Sequence, residues 1–300
     1  MKQSYDATSK VEVRCLYDLS SVSDIKRILK KFDFSFSKGL GQNFLIDSNV
    51  CPRMADECIP SDEYGVLEIG PGIGVLTVEL AQRARKVVSV ELDKRLLPIL
   101  DETLSDFPNV EIINQDILKC DIKKIVEEKF IDMPFVVCAN LPYYITSDVI
   151  MKLLEEGVAA ENITVMVQKE AANRICANPG TREVGAISIA VRYYSDPRVL
   201  FEVPKDSFVP VPNVDSAVIQ LLLREQKFDF INDDKMFFKV VKAAFAQRRK
   251  MLSNTLSKNL KISKEKILQV INECGLAENV RVEQLVLKDF ANISEKIKKL

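Results

Sequence analysis

Four consecutive residues, Asn140, Leu141, Pro142 and Tyr143, combine two hydrogen-bond acceptors with an aromatic ring at the end of a predicted strand. The Asn140 side-chain oxygen and the Leu141 backbone carbonyl could accept both hydrogens of adenine N6, whose lone pair is otherwise delocalised into the ring. Pro142 would fix the turn that directs this carbonyl, and Tyr143 would offer an extruded base a surface for stacking. This tetrad therefore predicts catalysis of methyl transfer to the amine of a base.

Three glycines, Gly70, Gly72 and Gly74, occupy a turn between a predicted strand and a predicted helix. Glycines let the backbone approach a cofactor closely, and a helix N-terminus adds positive potential. Glu91 ends the next strand, where an acid can accept hydrogen bonds from ribose hydroxyls. Both features fit NAD and S-adenosylmethionine equally. Asp116, at the end of the third strand, favours S-adenosylmethionine because its carboxylate could bind the exocyclic amine of the cofactor adenine.

The chain contains no histidine, and its seven cysteines include no Cys-x-x-Cys pair. These facts exclude a Cys/His zinc site and a Cys-His or Ser-His catalytic pair, so we expect no metal and reduced cysteines. Amine methylation needs no strong base, because the amine becomes more acidic as methyl transfer begins and water can take the proton. No apolar run approaches the roughly 20 residues that span a bilayer, and the charged N-terminus lacks a signal-peptide pattern. We therefore predict a cytoplasmic protein with no membrane partner.

Short apolar segments alternate with segments of helical spacing as far as Arg224. This alternation predicts a Rossmann-like α/β fold with a mostly parallel seven-stranded sheet covered on both faces. Ligands of such sheets bind at the carboxyl ends of the strands, where the tetrad, the glycines and the two acids lie. The predicted strands are 65–70, 86–93, 110–116, 134–140, 162–168, 186–192 and 217–223.

After Arg224 the pattern changes to helical segments, and the linker at 225–233 marks a natural boundary. We therefore predict an N-terminal extension at 1–33, a cofactor-binding catalytic domain at 34–224 and a smaller all-helical domain at 225–300. The predicted helices of this last domain are 234–245, 248–260, 264–274 and 282–299.

Residues 235–300 carry 15 Lys and Arg against 6 Asp and Glu, whereas the whole chain has a net charge of −1. This asymmetry predicts a basic C-terminal face that binds RNA. Arg248, Arg249 and Lys250 open a predicted helix, where positive charge is mildly unfavourable. We therefore expect these side chains to contact RNA phosphates. Nothing in the sequence demands more than a monomer.

With these residues assembled, the chain resembles the ribosomal RNA adenine dimethyltransferase family of the KsgA type, whose relatives include the Erm resistance methylases and a mitochondrial transcription-factor branch. The likeness runs from about residue 34 to residue 260. Segment 40–45 resembles the family's N-terminal cofactor-covering motif, segment 208–218 its loop near the target base, and segment 245–252 the C-terminal signature of the KsgA branch. By this resemblance, the cofactor contacts would be Asn43, Leu45, Gly70, Glu91, Asp116 and Asn140. Phe208 would pack on the target adenine opposite Tyr143.

The resemblance also implies a substrate. It implies S-adenosylmethionine-dependent N6,N6-dimethylation of two adjacent adenosines in the 3′-terminal hairpin loop of 16S rRNA, within the 30S subunit or its precursor. Three alternatives share part of the pattern. An Erm-type methylase of 23S rRNA would use the same chemistry, and a non-catalytic relative would use the fold only to bind nucleic acid. An NAD-dependent dehydrogenase is suggested only by the glycine turn and Glu91.

Overall fold

A computed structural model describes residues 17–37, 39, 41–226 and 228–300, so residues 1–16 of the predicted extension lie outside the described part of the chain. The strands are β1 (Phe44–Leu45), β2 (Gly65–Ile69), β3 (Lys86–Glu91), β4 (Val110–Asn114), β5 (Phe135–Asn140), β6 (Asn162–Gln168), β7 (Ser195–Val203), β8 (Phe208–Val209) and β9 (Ser216–Leu223). The helices are α1 (Val22–Lys31), α2 (Val50–Cys58), α3 (Val75–Ala81), α4 (Leu97–Thr103), α5 (Ile122–Lys129), α6 (Thr146–Glu155), α7 (Lys169–Ile175), α8 (Ala186–Tyr194), α9 (Asp234–Phe245), α10 (Leu252–Leu260), α11 (Lys264–Glu273) and α12 (Leu287–Lys298).

Seven strands form one sheet in the order β4-β3-β2-β5-β6-β9-β7. Strands β2 to β6 run parallel to one another, whereas β9 is antiparallel to both β6 and β7. Every residue of β2 is buried, as expected for a parallel strand with helices on both faces of the sheet. The predicted Rossmann-like, mostly parallel seven-stranded sheet is confirmed.

Two apolar clusters cover the two faces of this sheet. Val66 and Val136 belong to the first cluster, and the next residues, Leu67 and Val137, belong to the second, because successive side chains of a strand point to opposite faces. Helix α1 packs against the first cluster through buried apolar side chains, although it falls inside the predicted extension. The described part of that extension therefore contributes to the core of the sheet domain.

The predicted strand at 186–192 is wrong, because this segment forms helix α8. Its buried residues include Ile189, Ala190 and Tyr193, which fall on one face at helical spacing. The seventh strand is instead β7, which contains Pro197 and has a run of exposed and half-buried residues in its middle. Pro197 is compatible with a strand here because β7 lies at the edge of the sheet, with β9 as its single neighbour.

Helices α9 to α12 surround a third apolar cluster, which also includes Tyr193 of α8. The predicted helix at 248–260 begins only at Leu252, where buried apolar side chains resume after the polar segment 247–250. The predicted helix at 282–299 is also interrupted. A short 3₁₀ turn covers Val282–Gln284, and the Asp289 carboxylate accepts a hydrogen bond from Val286 N at 2.9 Å just before α12.

Candidate active site

One cleft lies at the carboxyl ends of β2, β3 and β5, and its volume is about 1120 Å³ when the solvent space at its mouth is included. This is where the predicted fold places a ligand. Gly74 is the only residue of the predicted cofactor-binding and catalytic set that does not line the cleft. The residues of that set that do line it are Asn43, Leu45, Gly70, Gly72, Glu91, Asp116, Asn140, Leu141, Pro142, Tyr143 and Phe208.

The glycine turn presents bare backbone to the cleft. Gly70 has a φ of 70° and Gly72 a φ of 62°, both in the left-handed region that favours glycine. A Cβ on Gly70 would meet nothing within 4 Å, so this position faces open space. Gly74 differs, because a Cβ there would lie 3.1 Å from the Leu104 side chain. The structure gives Gly74 a packing role under α4, and cofactor contact by Gly74 stays a prediction.

Glu91 ends β3 with a side chain that is almost fully buried. One carboxylate oxygen accepts a hydrogen bond from Gly72 N at 3.3 Å, and the other accepts one from Asp93 N at 2.7 Å. Burial raises the pKa of Glu91, while these two backbone donors favour the ionised form and oppose the rise. Both oxygens are thus fixed in orientation at the wall of the cleft, where the sequence predicts ribose recognition.

Asp116 lies two residues beyond the end of β4, not at its last residue as predicted. Its carboxylate accepts a hydrogen bond from Leu118 N at 3.0 Å, and Lys119 Nζ lies 3.4 Å from the second oxygen. The side chain retains 26% of its exposure. Ile117, beside it, is buried and also lines the cleft. A partly exposed carboxylate thus lies beside an apolar side chain in the cleft, at the position where the sequence predicts contact with the cofactor adenine.

The tetrad at 140–143 follows β5 directly, since Asn140 is the last residue of that strand. Leu141 N donates to Met166 O at 3.2 Å, and the Pro142 carbonyl accepts from Ile145 N at 3.2 Å. Within the described part of the chain, no group donates to the Leu141 carbonyl, and no polar atom of the Asn140 side chain has a hydrogen-bond partner. The turn therefore leaves two neighbouring acceptors unused at the cleft.

Two aromatic side chains line the same cleft. The Tyr143 hydroxyl forms a hydrogen bond with Ser216 Oγ at 2.7 Å, which fixes the phenol ring against the start of β9. Burial raises the pKa of Tyr143, so the phenol stays protonated near neutral pH and cannot serve as a general base. Phe208 is 1% exposed and lies in β8. Strand β8 pairs with β1, which places Phe208 opposite Leu45.

The N-terminal motif reaches the cleft through this two-stranded pairing. Asn43 Nδ2 donates to Gly41 O at 3.1 Å, and Phe44 packs against Gly72, where a Cβ would lie 3.3 Å from the phenyl ring. Gln42 and Asp93 were not among the predicted site residues, although Gln42 lies in segment 40–45, lines the cleft and donates a hydrogen bond of 2.9 Å to Asp93. The two acids at the end of the predicted strand at 86–93, Glu91 and Asp93, were a signal that could have suggested Asp93.

The predicted RNA-binding residues lie away from the cleft, in the turn between α9 and α10. Arg249 and Lys250 are exposed, whereas Arg248 is half-buried and donates to the Arg182 backbone carbonyl at 2.5 Å. The prediction that these three residues open a helix is therefore wrong, because they lie in the turn before α10. Arg248 therefore has a side-chain hydrogen bond within the described part of the chain, where none is formed by the side chains of its two neighbours.

Among residues 17–37, 39, 41–226 and 228–300, no cluster of three or more Cys, Asp and Glu side chains is arranged to hold a metal ion. Over the same residues, every helix is too short or too polar to cross a bilayer.

Comparison with known proteins agrees with the geometry. The model of the family described as ribosomal RNA adenine dimethylase matches residues 33–299. Ribosomal RNA small subunit methyltransferase A of Bacillus licheniformis is 48% identical and covers 94% of this chain and 98% of its own. The protein of that name from Geobacillus sp. is also 48% identical, over 92% of this chain and 97% of its own.

Two solved structures are similar to this chain at lower identity. The 23S rRNA methyltransferase ErmE is 26% identical with a TM-score of 0.64, and the match covers 85% of this chain and 99% of ErmE. A dimethyladenosine transferase from Plasmodium falciparum has a TM-score of 0.68 at 24% identity, over 83% of this chain and 95% of its own, and supports the fold alone. From the family match and the 48% identical relatives, the chain belongs to the ribosomal RNA adenine dimethylase family of methyltransferases, as its motifs predicted.

Proposed function

We propose that this enzyme uses S-adenosylmethionine to N6,N6-dimethylate two adjacent adenosines in the 3′-terminal hairpin loop of 16S rRNA, in the 30S subunit or its precursor. The observation that carries the proposal is the pair of unused acceptors at Asn140 and Leu141, in a cleft that is also lined by the partly exposed ring of Tyr143. An exocyclic amine has two hydrogens to donate, and the two acceptors match that number. The curated relatives named for the small ribosomal subunit support this choice of RNA.

The cleft also fits the proposed cofactor. When bound, S-adenosylmethionine supplies an electrophilic methyl group on a sulfonium. The Glu91 carboxylate would accept hydrogen bonds from the ribose, and Asp116 with Ile117 would bind the adenine. The open space in front of Gly70 lets a cofactor approach the backbone without a side chain in between. Asn43 and Leu45 would cover the cofactor from the N-terminal side.

Catalysis would depend on the tetrad holding the amine in a reactive geometry. The Asn140 oxygen and the Leu141 carbonyl each accept one N6 hydrogen, which turns the nitrogen lone pair out of conjugation with the base. Tyr143, which is partly exposed, would stack on the extruded base. The resemblance assigns the opposite face of the base to Phe208, whose ring must become more exposed than the 1% seen here to reach it. Because Tyr143 stays protonated and the chain has no histidine, the released proton passes to water.

The remaining parts of the chain have proposed roles that follow from charge and position. We assign residues 34–224 to catalysis and cofactor binding and residues 225–300 to RNA binding, with residues 1–33 as an N-terminal extension. The exposed cations Arg249 and Lys250, together with Arg248, would contact phosphates. A monomer located in the cytoplasm, where ribosomal subunits assemble, completes the proposal.

An Erm-type activity on 23S rRNA is a second candidate, favoured by the likeness to ErmE. Methyl transfer from labelled S-adenosylmethionine to 30S and 50S precursors that lack the modification, followed by nucleoside mass spectrometry, distinguishes the two. N6,N6-dimethyladenosine in the small-subunit RNA supports the proposal, and product only in the large subunit would favour the Erm alternative. No product with either particle, despite cofactor binding, would favour a non-catalytic RNA-binding protein.

A further inference from the structure

Gln42, Asp93 and Arg95 form a hydrogen-bonded cluster at the cleft. Gln42 belongs to the predicted cofactor-covering segment 40–45, but neither the motifs nor the proposed chemistry gives Asp93 or Arg95 a role. Asp93 is 7% exposed, and its carboxylate accepts four hydrogen bonds. One oxygen accepts from Gln42 Nε2 at 2.9 Å and Arg95 Nη2 at 2.6 Å, and the other accepts from Arg95 Nε at 2.9 Å and Arg95 N at 3.1 Å. Hydrogen bonding to Arg95 holds the pKa of Asp93 below its usual range, so the cluster contains a buried carboxylate that stays ionised.

This cluster anchors the N-terminal segment that contains two predicted cofactor contacts. The Gln42 side-chain oxygen accepts a hydrogen bond from Ser37 N at 2.9 Å while its nitrogen donates to Asp93. The Arg95 guanidinium lies over the Phe34 ring, 5.0 Å from its centroid, and thus contacts the same segment. Gln42 is directly followed by Asn43, so its position limits where Asn43 and the paired strand β1 can lie.

The same carboxylate is linked to the other wall of the cleft. Asp93 N donates to the Glu91 carboxylate at 2.7 Å, and the second Glu91 oxygen accepts from Gly72 N. Asp93 itself does not line the cleft, whereas Gln42, Asn43 and Glu91 do. Asp93 therefore lies behind two cofactor-binding walls that come from distant parts of the chain.

We propose that Asp93 is a positioning residue for the cofactor, which keeps Asn43 on the N-terminal segment in register with Glu91 at the end of β3. The proposal rests on the proposed function, since it assumes that S-adenosylmethionine occupies this cleft. Asp93→Asn would replace one acceptor oxygen by an NH₂ group that faces the donors of Gln42 or Arg95. The two walls would then lose their common anchor, although none of the predicted cofactor-contact residues is itself substituted.

Calorimetric titration of S-adenosylmethionine into the full chain, together with steady-state methylation of unmodified 30S subunits, tests the proposal. We expect Asp93→Asn and Gln42→Ala each to weaken cofactor binding about tenfold, because each removes a hydrogen bond to a charged group. The KM for S-adenosylmethionine should rise in parallel, with kcat at saturating cofactor within about twofold of the wild type. Asp56→Asn is the matched control, since Asp56 also pairs with an arginine, at 2.6 Å, but is exposed on α2 and outside the cleft; its KM should not change.

A double variant separates positioning from a merely structural role. If Gln42 and Asp93 act through their shared hydrogen bond, the two substitutions remove the same interaction. The double variant should then lose less cofactor affinity than the product of the two single fold losses. A loss of kcat at unchanged KM, or binding equal to the wild type in Gln42→Ala, would overturn the inference. Gln42→Ala removes no charge and serves as the decisive variant if Asp93→Asn does not fold. Wild-type protein that binds no S-adenosylmethionine would instead overturn the proposed function and the inference with it.

Discussion

Glu68, in the middle of β2, is a buried carboxyl group that should make the stability of the protein depend on pH. It is 1% exposed, and one oxygen accepts hydrogen bonds from Thr77 Oγ1 at 2.8 Å and Ser89 Oγ at 2.6 Å. The other oxygen is buried without a hydrogen-bond partner among the described residues. Burial raises the pKa of Glu68 to about 7 from its ordinary value of 4.5, and the two hydroxyl donors only partly oppose that rise.

The sign of the effect follows from proton binding. Between pH 4.5 and about 7, the unfolded chain loses the Glu68 proton while the folded protein keeps it. Because the folded state then binds more protons, stability falls as pH rises through this window and levels off above it. The separation of the two pKa values corresponds to a loss of free energy of unfolding on the order of 3 kcal/mol between the low and the high end of this window.

Glu68→Gln isolates this contribution. Glutamine keeps the shape of the protonated acid and an oxygen that can accept from Thr77 and Ser89, but it has no proton to lose. The free energy of unfolding is measured in urea at about pH 5 and about pH 8. From the lower to the higher pH, the free energy of unfolding of the variant should rise by roughly 3 kcal/mol relative to that of the wild type, because only the wild type loses stability. Glu127→Gln, on the exposed surface of α5, is the control and should leave the pH dependence unchanged. Identical pH dependence in Glu68→Gln and the wild type would refute the reasoning.

Three further predictions test the site and the RNA surface. Asn140→Ala should lower kcat by about 10²-fold or more while S-adenosylmethionine binds nearly as before, because a preorganised polar contact contributes about 2.7 to 4 kcal/mol in comparable sites; wild-type turnover would remove Asn140 from the mechanism. Gly74→Ala should lower the free energy of unfolding by about 1 to 3 kcal/mol, because the φ of 95° strains an alanine and its Cβ would crowd Leu104. The cofactor affinity of the folded variant should be unchanged, and a specific loss of affinity would assign Gly74 to the cofactor site. Replacing Arg249 and Lys250 together by alanine should flatten the salt dependence of RNA binding by about two counterions without changing the melting temperature, and an unaltered salt slope in a binding titration would count against phosphate contact.

The sequence determined those parts of the protein whose signal is local. Continuous apolar runs that end in a glycine, an acid or an asparagine predicted β2, β3 and β5 to within about two residues, because parallel strands bury both faces. Their order in the chain then placed Gly70, Glu91 and Asn140 at one edge of the sheet. The residue types alone also excluded imidazole chemistry, since the chain has no histidine.

Local patterns failed where neighbouring segments decide the structure. Segment 186–192 is apolar enough to suggest a strand, but it forms helix α8, which contributes Val191 to the second cluster and Ile189 to the third. The edge strand β7 pairs on one side only and therefore tolerates exposed residues and Pro197, which hides it from an apolar pattern.

Only the tertiary structure decided how distant segments meet at the cleft. Leu45 and Phe208 are paired across two short strands far apart in the chain, and Gln42 is fixed by Asp93. The same is true of the raised pKa of Glu68, which depends on burial from all sides. Sequence periodicity reports which face of an element is apolar, whereas hydrogen bonds and desolvation between remote elements depend on distances that exist only after folding.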